Sequence, residues 1–222
     1  MNLALIPLRT NSKSIPLKNI KKFCGKPLVY WTLQALQKCD SIDKIFVATD
    51  SEKINLVVNR FKFTKVKLYN RDSKNAQDNA STESVMLEFI KKNNFKNKDL
   101  LFLVQATSPF TQSKDFKEAL ETFRNKKADS LLTCIKTNRF FWKKNGKPYN
   151  YNYKKRPRRQ DFEGTYMENG AFYINTIGNI KKVKNRLGGK VAIHEMRKFT
   201  GIEIDEKDDW VEAEKLMKKN IL

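Results

Sequence analysis

The chain is short of the residues that most catalytic and redox chemistries draw on. It has one histidine, His194, and three cysteines, Cys24, Cys39 and Cys134. The cysteines are odd in number, far apart and without paired ligand spacing. Reduced, mostly buried thiols are therefore expected in place of a disulfide framework or a zinc site. His194 lies inside the apolar stretch VAIHEM, where a lone imidazole is expected to be structural. No Ser/His/Asp arrangement is recognisable. Apolar runs stop well short of the ~20 residues that span a bilayer, and MNLALIPLR is too short for a signal peptide, so a cytoplasmic protein with no membrane contact is expected.

Acid is scarce as well: 24 Asp+Glu against 45 Lys+Arg leave a formal charge of +21. The lysines are scattered (KKFCGK, FKFTKVK, KKNNFKNK, KKVKNR) and form no periodic stripe. A solvated lysine surface accounts for that distribution. Anionic small ligands and nucleic-acid phosphates are the other readings of the charge.

Glycine is also sparing, 8 in 222 residues, and it is missing where an anion-binding loop usually needs it. The stretch IPLRTNSKSIPLKNI, residues 6–20, follows the first apolar run and contains none. It carries Arg9, Ser12, Lys13, Lys18 and Asn19 instead. Arginine offers a bidentate fork for phosphate, lysine a movable point charge, and the neutral side chains further donors. Pro7 and Pro16 restrict the backbone, so less ordering is needed when an anion arrives. On charge alone, a merely solvated basic loop stays open beside the anion grip.

What the chain does have is an α/β rhythm. Strands are expected at 2–8, 44–50, 65–70, 100–107 and SLLTCIKT, with NGAFYI, KVAIHEM and a closing GIEID later. Between them lie the amphipathic stretches PLVYWTLQALQKC, SEKINLVVNRF, STESVMLEFIKKNN and KDFKEALETFRNKK. A last one, DDWVEAEKLMKK, is expected to bury Trp210, Val211, Ala213, Leu216 and Met217. Ser51 is placed to cap a helix, and Ser81 or Thr82 stands near the start of another. This alternation implies βαβ units and a mainly parallel sheet with helices on both faces, in one domain over residues 1–222. Ligands in such sheets sit at the carboxyl ends of the strands. That rule singles out the loop after strand one, the tail 71–82 and the QATSP turn at 105–109. From about 138 to 168 the rhythm breaks into an aromatic, basic segment, expected to be an inserted lid or dimerisation element.

Two further groups have the chemistry for a site. Glu203 and Asp205 in GIEID would share one face of a strand. They suit a hard divalent cation shared with phosphates, most simply Mg²⁺, or an acidic pair that neutralises nearby lysines. Asp208 and Asp209 are placed to stabilise a helix start. KRPRRQD, residues 155–161, would suit nucleic acid, nuclear import, or a carboxylate and phosphates.

These blocks together resemble one family, the acylneuraminate cytidylyltransferases, which activate sialic acids. IPLRTNSKSIPLKN is close to the pattern Arg-x-x-Ser-Lys-x-x-Pro-x-Lys-Asn; QATSP is a second block. KRPRRQDFEGTYMENGAFYI, with GGKVAIHEM and IEIDEKDDW behind it, is the third and looks like the animal-type enzymes. The resemblance runs from Leu3 to beyond Trp210. It implies a Rossmann-like α/β fold of the nucleotide-diphospho-sugar transferase type and the reaction of CTP with a nonulosonic acid to give a CMP-sugar and pyrophosphate, with Mg²⁺, in a homodimer that uses neither nucleic acid nor membrane. It implies Arg9, Ser12, Lys13 and Lys18 on the triphosphate, and Asn19, Arg71, Ala80 and Thr82 around the cytidine. Gln105, Arg159, Asn169 and Tyr173 would serve the sugar acid. Glu203 and Asp205 would hold the metal, with Arg9, Lys18 and Asp205 in the catalytic roles.

Two departures stand out. Glutamate replaces the first aspartate of the metal pair at 203, and Thr111 stands where bacterial relatives often have arginine. Legionaminate, pseudaminate and 3-deoxy-octulosonate are sibling substrates for the same chemistry. A basic nucleic-acid-binding module is the reading from another class, and a catalytically dead nucleotide sensor a third. Nuclear import through KRPR is set aside because the same arginines belong to the site motif.

Overall fold

The computed structural model describes residues 1–9, 14–75 and 80–222. In chain order its elements are β1 (Asn2–Pro7), the short strands β2 (Lys22–Phe23) and β3 (Lys26–Pro27), α1 (Leu28–Gln37) and β4 (Lys44–Thr49). Then come α2 (Glu52–Asn59), β5 (Val66–Asn70), α3 (Thr82–Lys91), β6 (Leu100–Val104) and α4 (Ser113–Asn125). The chain continues through β7 (Ser130–Thr137), β8 (Thr165–Thr176), α5 (Ile177–Val183), β9 (Val191–Met196) and α6 (Lys207–Asn220).

Seven strands form one sheet in the order β5-β4-β1-β6-β8-β7-β9. Pairings within β5-β4-β1-β6 and between β7 and β9 are parallel, while β8 runs antiparallel to both neighbours. The central strands β1 and β6 are near-continuous apolar runs because helices cover both faces. Successive residues point to opposite faces. Ala4, Ile6, Phe102 and Val104 join one cluster with residues of α1, α2 and α4, whereas Leu3, Leu5, Leu101 and Leu103 join another with α3 and α5. Each fully buried side chain of this kind contributes roughly 1.5–3 kcal/mol.

The chain builds β1, β4 and β5 outward, then returns to place β6 on the other side of β1. The order therefore reverses between β1 and β6, and a crevice opens beyond their carboxyl ends. β8 contributes to the same end. Its first residues run past β6 and pair only with β7, from Thr165 opposite Thr137 to Glu168 opposite Cys134.

A third apolar cluster ties the two ends of the chain together. It gathers Ile15, Phe23, Leu28 and Phe110 with Ile204, Trp210, Ala213 and Met217. Phe23 meets Trp210 edge to face at 5.4 Å between ring centres. Phe23 is presented by a two-residue β2–β3 turn in which Cys24 (φ 45°) and Gly25 (φ 85°) both take left-handed conformations, the geometry of a tight hairpin.

Several expectations need correction. GIEID forms no strand: 202–205 is extended but pairs with nothing, its burial alternating through exposed Glu203, buried Ile204 and exposed Asp205. The period-two pattern is satisfied by docking Ile204 into the third cluster, without a sheet edge. On α6, Trp210, Ala213 and Met217 are buried, but Val211 points to solvent, one position off the buried stripe. β8 is twice as long as the stretch NGAFYI suggested, and α5 was not anticipated. Both serine caps are present, Ser51 accepting from the Ile54 amide and Ser81 from that of Ser84. Segment 138–164 holds only a 3-10 turn at Tyr153–Lys155 and a Trp142–Pro148 bridge, around a stack of Phe140, Trp142, Tyr151, Tyr153 and Phe162.

Candidate active site

The crevice at the carboxyl ends of β1 and β6 is a cleft of about 280 Å³. Into it the fold brings Arg9, Lys18, Asn19, Arg71, Ala80, Thr82, Gln105 and Asp205, eight candidates drawn from separate stretches of sequence. Pro7, Ser81, Val85, Ala106 and Thr107 complete the wall. Ser12 and Lys13 lie outside the described residues.

Arg9 follows β1 and is exposed at the rim. Its backbone is fixed by Asn19, whose Nδ2 donates to the Arg9 carbonyl at 3.0 Å. Asn19 is held in turn by the 3-10 turn Lys18–Ile20, which Leu17 enters with φ 52°. A branched apolar residue in that left-handed conformation costs of order 1–3 kcal/mol. The turn is held by bonds from the Ile20 and Lys21 amides to the Leu17 carbonyl.

Lys18 is the joint between the two chain ends. Its Nζ donates to the Ile204 carbonyl at 2.6 Å and to Asp205 Oδ1 at 3.1 Å. An ammonium has three donors, so these two bonds leave one for the cleft among the described residues. Asp205 is held from behind, where Asp209 Oδ2 accepts from the Asp205 and Glu206 amides as part of a capping box on α6.

Glu203 lies beside this pair. Its Oε1 would sit 3.6 Å from a Cβ built on Gly170, so the carboxylate end rests against the middle of β8 although the residue as a whole is exposed. Burial first, then the charges of Asp205 and Glu168, push its carboxyl above the ordinary value, with Lys18 opposing. Glu203, Asp205 and Glu168 therefore gather negative charge next to the cleft in a basic protein. Glu203 and Asp205 offer carboxylate oxygens, the donors a hard cation prefers, whereas Glu168 is engaged by the Tyr173 hydroxyl.

On the opposite wall, Arg71 is buried and its Nε and Nη2 donate to Asp50 Oδ1 at 3.2 and 2.9 Å. Its charge is thus already offset. Asp50, at the end of β4, went unnoticed in the sequence, although the strand-end rule points to it as it points to Arg71. Gln105 begins the turn after β6, its amide bonded to the Ala171 carbonyl of β8 at 3.0 Å.

Three sequence candidates are placed elsewhere. Asn169 is fully buried, its Nδ2 donating to Thr200 Oγ1 at 3.0 Å and to Met196 Sδ. Tyr173 is buried in the α3/α5 layer, under the Arg186 guanidinium, with its hydroxyl donating to Glu168. Burial and that bond push its phenol up to about 12. Arg159 lines a separate groove with Asn138, Arg139, Phe140, Arg156 and Arg158. Thr111 is buried and donates to the Ser108 carbonyl, shaping the turn that ends QATSP.

The other acidic group, Asp115 and Glu118 with His194, brings its ligand atoms within 4.8 Å of one another. Asp115 is already engaged there by Arg197 at 2.6 Å and by the Gln112 amide. Burial holds the His194 imidazole below its ordinary pKa, as befits a structural residue on β9 that faces α4.

A family model described as cytidylyltransferase matches residues 3–222. Among curated relatives, the N-acylneuraminate cytidylyltransferase of Oncorhynchus mykiss is 36% identical over 218 residues, 95% of this chain and 49% of the relative. N-acylneuraminate cytidylyltransferase B of Danio rerio is 34% identical over 218 residues, 95% of this chain and 50% of the relative. The chain thus spans about half the length of these relatives. Among solved structures, CMP:2-keto-3-deoxy-manno-octonic acid synthetase complexed with CTP superposes with a TM-score of 0.72 at 17% identity, covering 99% of each chain. That likeness shows a shared fold.

Proposed function

The chain belongs to the cytidylyltransferase family, and we propose that it transfers CMP from CTP to the anomeric hydroxyl of a sialic acid, releasing pyrophosphate. The observation that carries this is the convergence of Arg9, Lys18, Asn19, Arg71, Thr82, Gln105 and Asp205 on one cleft at the switch point of the sheet. The substrate class comes from the N-acylneuraminate relatives.

In this reading the cleft has a charged end and a neutral end. Arg9 and the free donor of Lys18 meet the triphosphate, with Ser12 and Lys13 assigned beside them by the motif. Arg71 suits the uncharged nucleoside because Asp50 already balances it; Asn19, Ala80 and Thr82 complete that end. The oxygen at C2 of the acid forms the new bond to the α-phosphorus. The bond to the departing pyrophosphate breaks, and the hydroxyl proton passes to solvent. Such a transfer needs alignment and charge neutralisation more than covalent help. Arg9 and Lys18 supply the neutralisation from one side of the phosphates.

Glu203 and Asp205 would hold Mg²⁺, and their oxygen donors and mutual repulsion fit that ion. When bound, the ion supplies further positive charge to the phosphates. Gln105 faces the sugar acid, while Asn169 and Tyr173 would shape that pocket from behind by holding β8. The exposed Phe141, Trp142, Tyr149 and Tyr153 support self-association of segment 138–164 in a homodimer, where Arg159 would offer its guanidinium to the carboxylate of the acid.

The test is Arg9→Ala assayed for pyrophosphate release from CTP and N-acylneuraminate. Loss of turnover at unchanged circular dichroism is expected; parental turnover would remove Arg9 from the triphosphate.

A further inference from the structure

Glu88 is buried, yet among the described residues it faces no lysine or arginine that shares its burial. Four donors converge on its carboxylate instead. Oε1 accepts from the Tyr69 hydroxyl at 2.8 Å, from the Asp72 amide at 2.9 Å and from the half-exposed Lys92 Nζ at 3.2 Å. Oε2 accepts from Asn75 Nδ2, itself buried. Burial alone would raise the Glu88 carboxyl, but these bonds outweigh it and hold it down to about 2. It is an anion at every working pH.

The places these donors come from matter more than their number. Tyr69 is in β5, Asp72 follows Arg71 directly, and Asn75 closes the next turn with its amide bonded to the Asp72 carbonyl at 2.9 Å. Glu88 itself stands on α3, one turn beyond Val85, which lines the cleft. One carboxylate therefore joins the two walls of the neutral end: the strand exit that presents Arg71, and the helix that presents Thr82 and Val85. Arg71 is fixed from its other side by Asp50 at the end of β4. A buried carboxylate is a costly way to gain stability, since an apolar side chain of the same volume usually does as well. Its particular capacity is to accept several directed bonds at once.

Resting on the cytidylyltransferase reading, we propose that Glu88 is the positioning residue of the nucleoside pocket, acting through Asp72 and Asn75 to set Arg71 opposite the start of α3. It touches no substrate and takes no part in the transfer. Misplacing a binding group by about 1 Å costs up to a hundredfold in what that group supports. The effect belongs in nucleotide binding, because the triphosphate end is built on β1 and α6.

The experiment compares Glu88→Ala and Asn75→Ala with the parent by calorimetric titration with CTP and by steady-state kinetics, after circular dichroism has established folding. Asn75→Ala is the gentler variant and decides the matter if Glu88→Ala fails to fold. Expected are a Kd and KM for CTP raised about tenfold or more, with kcat at saturating CTP within about twofold of the parent and KM for the acid unchanged. A folded Asn75→Ala chain with parental CTP affinity overturns the positioning role while the family reading stands. A fall in kcat alone does the same, since it would place the effect in the chemical step. A parent chain that binds no CTP overturns the nucleotide reading, and the positioning role with it.

Discussion

Glu203 bears two opposed demands. Its carboxyl titrates above the ordinary range because burial, Asp205 and Glu168 all disfavour its charge. For an acid whose pKa is raised by folding, the sign is unfavourable at high pH. The fold incurs no cost below the unfolded pKa, and the full cost once pH exceeds the folded one. Glu203→Gln should accordingly be slightly more stable than the parent near neutral pH, by less than about 1 kcal/mol because the residue is largely exposed. It should match the parent near pH 3, where both side chains are neutral, and, if the pair holds Mg²⁺ as proposed, it should lose the stabilisation that Mg²⁺ gives the parent. Thermal unfolding at the two pH values, with and without Mg²⁺, reads all three. A variant less stable than the parent at neutral pH would mean that the carboxylate is favourably paired. Glu88 shows the opposite sign. Its depressed carboxyl stabilises the fold above its unfolded pKa and loses that contribution as pH falls toward about 2.

At the scale of elements, the third apolar cluster makes the charged end of the cleft possible. Lys18 and Asp205 are 187 residues apart in sequence, and they meet because Ile15 and Phe23 pack against Ile204 and Trp210. Trp210→Ala should destabilise the protein by about 3–5 kcal/mol, as deletion of a large buried aromatic does. It should weaken CTP binding in the fraction that stays folded, since it loosens the Lys18–Asp205 contact. Chemical denaturation and a CTP titration below the transition check both; a destabilised variant with parental CTP affinity would detach the cluster from the site.

The same cluster shows what could be read from the sequence. The strands β1 and β6 were legible because burial on both faces leaves unbroken apolar runs, and helices such as α3 were legible from their caps and spacing. GIEID looked like a strand because Ile202 and Ile204 alternate with carboxylates, and alternation carries no record of whether a neighbouring strand exists. Val211 reads as core in the sequence because it is apolar, although it lies off the stripe of Trp210, Ala213 and Met217. The cations of the first loop and the strand-end rule pointed to the cleft, and the family resemblance supplied Arg71, Ala80, Thr82 and Gln105 within it. Glu88 and Glu168 were not legible, since each matters through a partner that only the fold supplies.

For the whole molecule, the surplus of positive charge is the broadest feature, +21 over 222 residues. Spread over the surface, it raises the local concentration of polyanions without choosing among them. Choice rests with the cleft, where acid is gathered as well as base. CTP affinity should therefore weaken with salt, while Asp205→Ala should abolish turnover and leave any salt-sensitive binding of DNA or RNA unchanged. A filter-binding titration run beside the turnover assay separates the two behaviours; nucleic-acid affinity that fell with Asp205 would tie that binding to the cleft.

The most direct measurement of the central claim is pyrophosphate release by the purified protein with CTP, Mg²⁺ and a panel of acids: N-acylneuraminate, legionaminate, pseudaminate and 3-deoxy-octulosonate. The account predicts pyrophosphate and CMP-sugar in equal amounts, fastest with N-acylneuraminate and with CTP preferred over other nucleotides. Preference for another acid would move the substrate within the same chemistry. No release with any acid, from a folded protein, would contradict the assignment of this cleft to cytidylyl transfer.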